Sequence, residues 1–322
     1  VIWVGRRWSK LSCHVVLTKI LEKSMVDSSK LKLLIELPFD EDVNFRGKVR
    51  VLRDKAIPSA TVLVNETITQ NKWMLDNLLK TGNISEAIHR LREGSYHLFL
   101  EAEAKFNVDI VNYIGQHVET PRKILEAIIE EKLPDSAKMS QIRESVQSIC
   151  GEYAGRIMPY IYIICQSNTQ SRRSRAGQVF EQIIYSMYNL YEYPFDSQQK
   201  LGRDHFQKVG LGKKVDSVLP GIKEFETRRD KVIIGTMKTT LRERWQEVVE
   251  EIERTRIPKI YLLTADDDIA RSKALEMGKH NIVLVVYKSV KDTEDLRDLL
   301  NIISFEQYFL QEVPNELSFW GK

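Results

Sequence analysis

From residue 213 onward the chain alternates short apolar runs with amphipathic stretches, and this order constrains the fold more than any other feature. The runs 213–218, 231–237, 260–264 and 282–287 have strand length and β-branched content. Between and after them, 240–254, 267–277 and 293–303 carry a helical period, while 220–229 reads as a turn or ribbon. Strand–helix–strand order with strands apolar throughout predicts a parallel or mixed sheet covered on both faces, an α/β class.

The part before this reads as mainly helical. Ile57-Pro58-Ser59 marks a break, followed by a β-branched run at 61–64. Helices are predicted over 67–79, over 85–91 with Gly94 as its stop, and over 119–131 with Pro121 tolerated in the first turn. Leu133-Pro134-Asp135-Ser136 is the expected boundary, giving a mainly helical N-terminal region, 1–134, and a second region, 135–322. Past it, 136–150 reads as a helix and 159–165 as a strand or the end of a buried helix. The stretch 171–176 reads as a polar, arginine-dense connector. A further helix covers 177–191, with Phe180, Ile183, Ile184, Met187 and Leu190 on one side.

Composition excludes several classes. With 48 basic and 45 acidic residues the net charge is only +3, so affinity for a polyanion must come from local clustering. Cys13, Cys150 and Cys165 lack metal-binding spacing and suggest a reducing compartment without a zinc site; Cys165, in an apolar run, reads as a core residue. No apolar stretch reaches membrane-spanning length, and Val1-Ile-Trp-Val-Gly5 lacks the layout of a secretory leader, so a cytoplasmic protein is expected. The chain has neither a Gly-x-x-x-x-Gly-Lys phosphate loop, hence no nucleotide cofactor, nor a Gly-x-Ser-x-Gly elbow.

Three residues stand out chemically. Asp216 precedes a predicted strand, Lys238 ends the next one, and Glu251 lies on the helix after it. Carboxylates can hold Mg²⁺, and a lysine beside them can orient or deprotonate a water. Glu181, at the edge of an apolar helix face, is either paired or functional. Against this, spacing alone is compatible with chance and with a solvated acidic helix face. Arg242-Glu243-Arg244 opens the helix after Lys238. At a helix N-terminus, arginines suit guanine edges and a glutamate suits cytosine. Thr240-Leu-Arg-Glu243 equally fits a capping box, and the two roles compete for one carboxylate. Gln170-Ser-Arg172-Arg173-Ser-Arg175 fits either phosphate and base contacts or a solvated basic loop.

Ser171-Arg-Arg-Ser-Arg-Ala-Gly177 before Phe180-Glu181, then Val215-Asp216, then Lys238-Thr-Thr-Leu-Arg-Glu-Arg-Trp245 resemble the type II restriction endonucleases of the EcoRII C-terminal, SsoII and PspGI group. The resemblance covers about residues 170–251 and implies a PD-(D/E)xK fold, a mixed sheet flanked by helices. It implies that Asp216, Glu251 and Glu181 hold Mg²⁺ and that Lys238 is the catalytic lysine. Arg242, Glu243 and Arg244 would read G·C pairs, with Gln170 reaching the inner part of the site and Arg172, Arg173 and Arg175 contacting DNA. Thr236 stands where the general nuclease pattern has an acid, and Glu251 is the replacement that this group carries. The implied function is cleavage of double-stranded DNA at a CCNGG-like, (pseudo)palindromic CC…GG site, with extra flanking base pairs left open. The enzyme would be a homodimer, with tetramer assembly left open. Members of the group can flip central bases; Trp73, Tyr113 and His117 are candidate platforms that no motif separates. The rival readings are a structure-selective repair nuclease with the same metal site and a noncatalytic DNA-binding protein.

Overall fold

A computed structural model describes residues 34–133, 138–241, 244–255 and 257–321; within 244–255, the side chains of 244, 251 and 253–255 lie outside the description. The described residues divide into two units, those within 34–39 and 114–161 and those within 40–113 and 162–321. The described residues before the first strand form helices α1 (Phe39–Ala56), α2 (Ala60–Gln70), α3 (Lys72–Lys80), α4 (Ile84–His117), α5 (Glu119–Lys132), α6 (Met139–Arg156) and α7 (Met158–Leu190). The order continues β1 (Asp196–Ser197), α8 (Gln198–Leu201), α9 (Arg203–Lys208), β2 (Ser217–Leu219), α10 (Ile222–Thr227) and β3 (Ile233–Lys238). It ends α11 (Arg244–Thr255), β4 (Ile260–Thr264), α12 (Arg271–Lys279), β5 (Ile282–Val286), α13 (Lys288–Lys291), β6 (Ile302–Ser304), α14 (Phe305–Gln307) and α15 (Val313–Phe319). Among the described residues no helix is long and apolar enough to cross a membrane.

The mixed sheet expected from the alternation is present. Its six strands run in chain order; β1–β2 and β2–β3 pair antiparallel, and β3 through β6 pair parallel. Ile233, Ile234 and Met237 of β3 are buried, as is every residue of β4. Burial of each large apolar side chain contributes about 1.5–3 kcal/mol. Gly235 on β3 faces Ser217 on β2, where a Cβ would lie 2.6 Å from the Ser217 hydroxyl oxygen. That close approach brings β2, and Asp216 just before it, against the centre of β3.

The smaller unit, in its described part, pairs α5 with α6. Helix α5 buries Pro121, Ile124 and Ile128, and Lys132 at its end meets Glu152 on α6 at 3.2 Å.

Several local expectations are corrected. The break at 57–59 is a helix cap: the Ser59 hydroxyl accepts from the Val62 amide at 3.3 Å, and the β-branched run becomes α2 because Leu63 and Val64 are buried there. Gly94 does not stop a helix but lies inside α4, where a Cβ would sit 2.5 Å from the Thr67 methyl of α2; the glycine permits that crossing. The arginine-dense connector is the interior of α7. Cys165 is exposed: α7 turns Ile163 and Ile164 inward and Cys165 outward. The helix expected over 293–303 is a turn followed by β6. There, Lys291 donates to the Leu296, Arg297 and Leu299 carbonyls at 3.4, 3.0 and 2.9 Å, and Ile303 pairs with Val285.

Candidate active site

Asp216 sits where β2 leaves the sheet edge beside β3, and its backbone is clamped on both sides. Its amide donates to the Gly235 carbonyl at 2.9 Å; its carbonyl accepts from the Gln198 amide at 2.9 Å and from the Tyr185 hydroxyl at 3.0 Å. The side chain is equally confined. One carboxylate oxygen, Oδ2, accepts from the Met237 amide at 2.6 Å, the Thr236 hydroxyl at 3.3 Å and Lys238 Nζ at 3.3 Å. Both members of the Asp216–Lys238 pair are largely buried, at 13% and 15% side-chain exposure, so solvent screens their attraction weakly. Lys238 Nζ also donates to the Met237 carbonyl at 3.0 Å. The strand pairing places these donors: β3 alternates Thr236 and Lys238 on one face, and antiparallel β2 delivers the carboxylate to them. Thr236, which replaces an acid of the general pattern, is fully buried and donates to Asp216.

Glu181 reaches the same place from α7. An open cleft of 580 Å³ is lined by Glu181, Asp216, Tyr185, Arg175, Gln178 and Arg203, among others. The Glu181 carboxyl is pushed up to about 7, first by burial, then by the charge of Asp216, with Lys238 opposing. The Tyr185 hydroxyl is likewise pushed upward by burial and then by Asp216 and Glu181. Two carboxylates thus sit near each other in a partly desolvated cleft, and Lys238 offsets their mutual repulsion only in part. Helix α7 is held over the sheet by the Tyr188–Tyr308 hydroxyl pair at 2.7 Å, with Tyr193 donating to the Phe309 carbonyl at 2.7 Å just past the helix.

This donor set fits a hard divalent cation. Carboxylate oxygens are its preferred ligands, and a bound cation would relieve the repulsion that raises Glu181. Among the described residues, no three His, Cys, Asp or Glu side chains form a metal-holding group. The expected third acid, Glu251, lies on α11, and its side chain is outside the described residues.

The other expected site residues are distributed as follows. Arg242 and Glu243 lie outside the described residues, as does the side chain of Arg244, the first residue of α11. The segment leading to them is anchored: the Leu241 amide donates to Asp266 Oδ2 at 2.7 Å, and Leu241 is buried. Arg175 lines the cleft. Gln170 is exposed and lines a neighbouring cleft with Arg175. Arg173 is exposed on α7. Arg172 is engaged within the protein: its guanidinium forks onto both oxygens of Glu103 on α4, a carboxylate only 2% exposed. Trp73 is exposed on α3, Tyr113 carries Lys48 Nζ 5.1 Å from its ring centre, and His117 ends α4. Sequence reasoning missed Tyr185, although it lies one helical turn after Glu181 and so on the same face. It also missed Gln198 and Arg203, polar residues in short helices that no periodicity marks.

Comparison with known proteins places this geometry in a family. The family model described as EcoRII C terminal matches residues 142–309, just over half of the chain. The type II restriction enzyme SsoII of Shigella sonnei is 35% identical over 203 residues, which cover 63% of this chain. The chain spans only 60% of the length of that relative. Among solved structures, metal-depleted Ecl18kI in complex with uncleaved, modified DNA aligns with TM-score 0.68 and 27% identity, over 87% of this chain and 86% of that one. A complex of restriction endonuclease PspGI with substrate DNA aligns with TM-score 0.55 and 17% identity, over 83% and 96% of the two chains, a likeness of fold. The matched stretch 142–309 contains Glu181, Asp216 and Lys238, and the chain belongs to the EcoRII C-terminal family.

Proposed function

We propose that the protein is a type II restriction endonuclease, a Mg²⁺-dependent homodimer that hydrolyses both strands of DNA at a (pseudo)palindromic CC…GG site, CCNGG-like. The observation that carries this reading is the meeting of Asp216 and Glu181 in one open cleft, with Lys238 Nζ 3.3 Å from the Asp216 carboxylate. Family membership supports it, as do the DNA complexes of Ecl18kI at 27% identity.

On this reading Asp216 and Glu181, with Glu251 from α11, hold the cation, which would supply charge neutralisation at the scissile phosphate and acidify a water. Lys238 orients that water and stabilises charge developing on the phosphoryl oxygens. Met237 and Thr236, by donating to Asp216, fix the carboxylate before any ligand arrives. Arg242, Glu243 and Arg244 read the G·C pairs immediately after the strand that bears Lys238, so reading and cutting are mechanically adjacent. Two-fold symmetry follows if each subunit reads one half-site. An interrupted site leaves central bases that flipping would remove from the stack. The N-terminal region, residues 1–134, serves dimerisation or DNA contacts.

Sequencing the fragment ends from a plasmid incubated with the protein and Mg²⁺ tests this reading. The expected result is discrete cuts at one CC…GG-containing sequence, with 5′-phosphate and 3′-hydroxyl ends. Scattered cuts at junctions or gaps would favour a structure-selective nuclease; Arg242→Ala would then leave cutting intact.

A further inference from the structure

A second cleft, of 590 Å³, lies between α1 and α7 and shares Arg175 and Gln178 with the Asp216 cleft. Its lining includes Arg46, Arg50, Arg53 and Arg175 against a single carboxylate, Asp54. Positions 46, 50 and 53 follow helical spacing and share one face of α1. Seven residues of helix rise about 10 Å, so the three guanidinium groups form a row along the helix rather than a single point of charge.

Two of the three α1 arginines are tethered and the third reaches into solvent. Arg46 donates to Asp42 from Nε at 2.5 Å and Nη2 at 3.2 Å and from Nη1 to Gln166 on α7 at 3.0 Å; Arg53 donates to Asp54 at 3.0 Å and from Nη1 to Ser167 on α7 at 2.8 Å. Arg50 is the most exposed, meeting only Asp54 at 3.8 Å among the ion pairs. The Arg175 guanidinium is held below its ordinary value, mainly by burial, and the like charge of Arg53 adds to this against Asp54. A concave wall with this excess of guanidinium groups favours an extended polyanion over a single small one.

We propose that Arg46, Arg50 and Arg53 of α1 grip the phosphodiester backbone of the same duplex whose scissile phosphate lies at Asp216. These contacts would add to those of the base-reading segment and give the DNA-contact role of residues 1–134 to three particular side chains. The proposal rests on the nuclease reading above.

The test is equilibrium binding of the full-length protein, without metal, to roughly 30-base-pair duplexes with and without a CC…GG sequence, followed across salt concentrations. Arg50→Ala and Arg53→Gln are compared with wild type and with Arg90→Ala, an exposed control on α4, and thermal melting checks folding. Each lost phosphate contact should lower the slope of log K against log salt by about 0.9 and reduce the affinity ratio between 50 and 200 mM salt by about threefold. The control should match wild type. If wild type cuts a plasmid while both variants keep its salt slope, the inference is overturned and the nuclease reading stands. If the slopes fall but no plasmid is ever cut, the groove stands and the nuclease reading fails. If wild type binds neither duplex, both fall.

Discussion

The Asp216–Lys238 centre and the arginine segment of α7 are both dense in charge, yet they are built on opposite principles. At the centre, the paired charges are largely buried and one carboxylate oxygen takes three donors. Along α7, Arg173 projects to solvent, Arg175 lines the cleft, and Arg172 is tied to a buried glutamate. The charges of the centre are confined by the sheet. A charge run on a helix is divided by the helical period among open solvent, the cleft and a partner on a neighbouring helix. A basic run in sequence is therefore not one functional unit.

The comparison breaks most visibly at Asp216. On the proposed reading, Asp216→Asn takes away a cation ligand and the charge beside Lys238 while keeping the shape, so Mg²⁺-dependent cleavage should fall by about a thousandfold, the scale of several kcal/mol of lost electrostatic stabilisation. Single-turnover rates measure it; cleavage within threefold of wild type would remove Asp216 from the chemistry.

Acidity gives the next largest effect. Glu181 must be ionised to hold a cation, and its carboxyl is pushed up to about 7. Cation affinity should therefore be level above about 7 and fall by up to about tenfold per pH unit below it. Without cation the sign reverses: a raised carboxyl pKa favours the folded state at low pH, and that contribution is lost as pH rises through about 7. Calorimetric Mg²⁺ titrations and melting across pH 5–9 (an interval on the order of two units either side of this value) check both trends. Glu181→Gln should flatten both curves, and an unchanged curve would reassign the proton.

Arg172 sharpens the contrast along α7. Arg172→Ala leaves Glu103 buried without its guanidinium and should cost about 2 kcal/mol of stability, discounted because the arginine is half exposed. Its salt slope for DNA binding should match wild type. A slope reduced by about one unit would make Arg172 a phosphate contact instead. The smallest effect is expected at Lys214, which meets Glu247 at 2.5 Å with both side chains well exposed. Lys214→Ala should shift unfolding free energy by no more than about 0.5 kcal/mol in denaturant titrations.

The parallel part of the sheet was readable because its strands are apolar throughout: β4 matches the expected 260–264, and β5 differs by one residue. Lys238 was readable as the end of a strand. The edges were not. The two-residue β1 has no sequence pattern, and β6 hides within a leucine-rich stretch whose helical period is overruled by pairing with β5 and by the capping Lys291. The 33-residue α7 was divided by its own polar middle, since the arginines there satisfy helix propensity while disguising it as a loop. Glu181 was suspect for the right physical reason, an acid at the rim of an apolar face. Its approach to Asp216 depends on tertiary packing of α7 over the sheet, which no local pattern encodes.

The most direct test of the central claim is the rate of a single turnover by Lys238→Ala at saturating Mg²⁺ and DNA. The account predicts binding to duplex DNA close to wild type and cleavage slower by about 10²–10⁴-fold. Cleavage by the variant at the wild-type rate would contradict it.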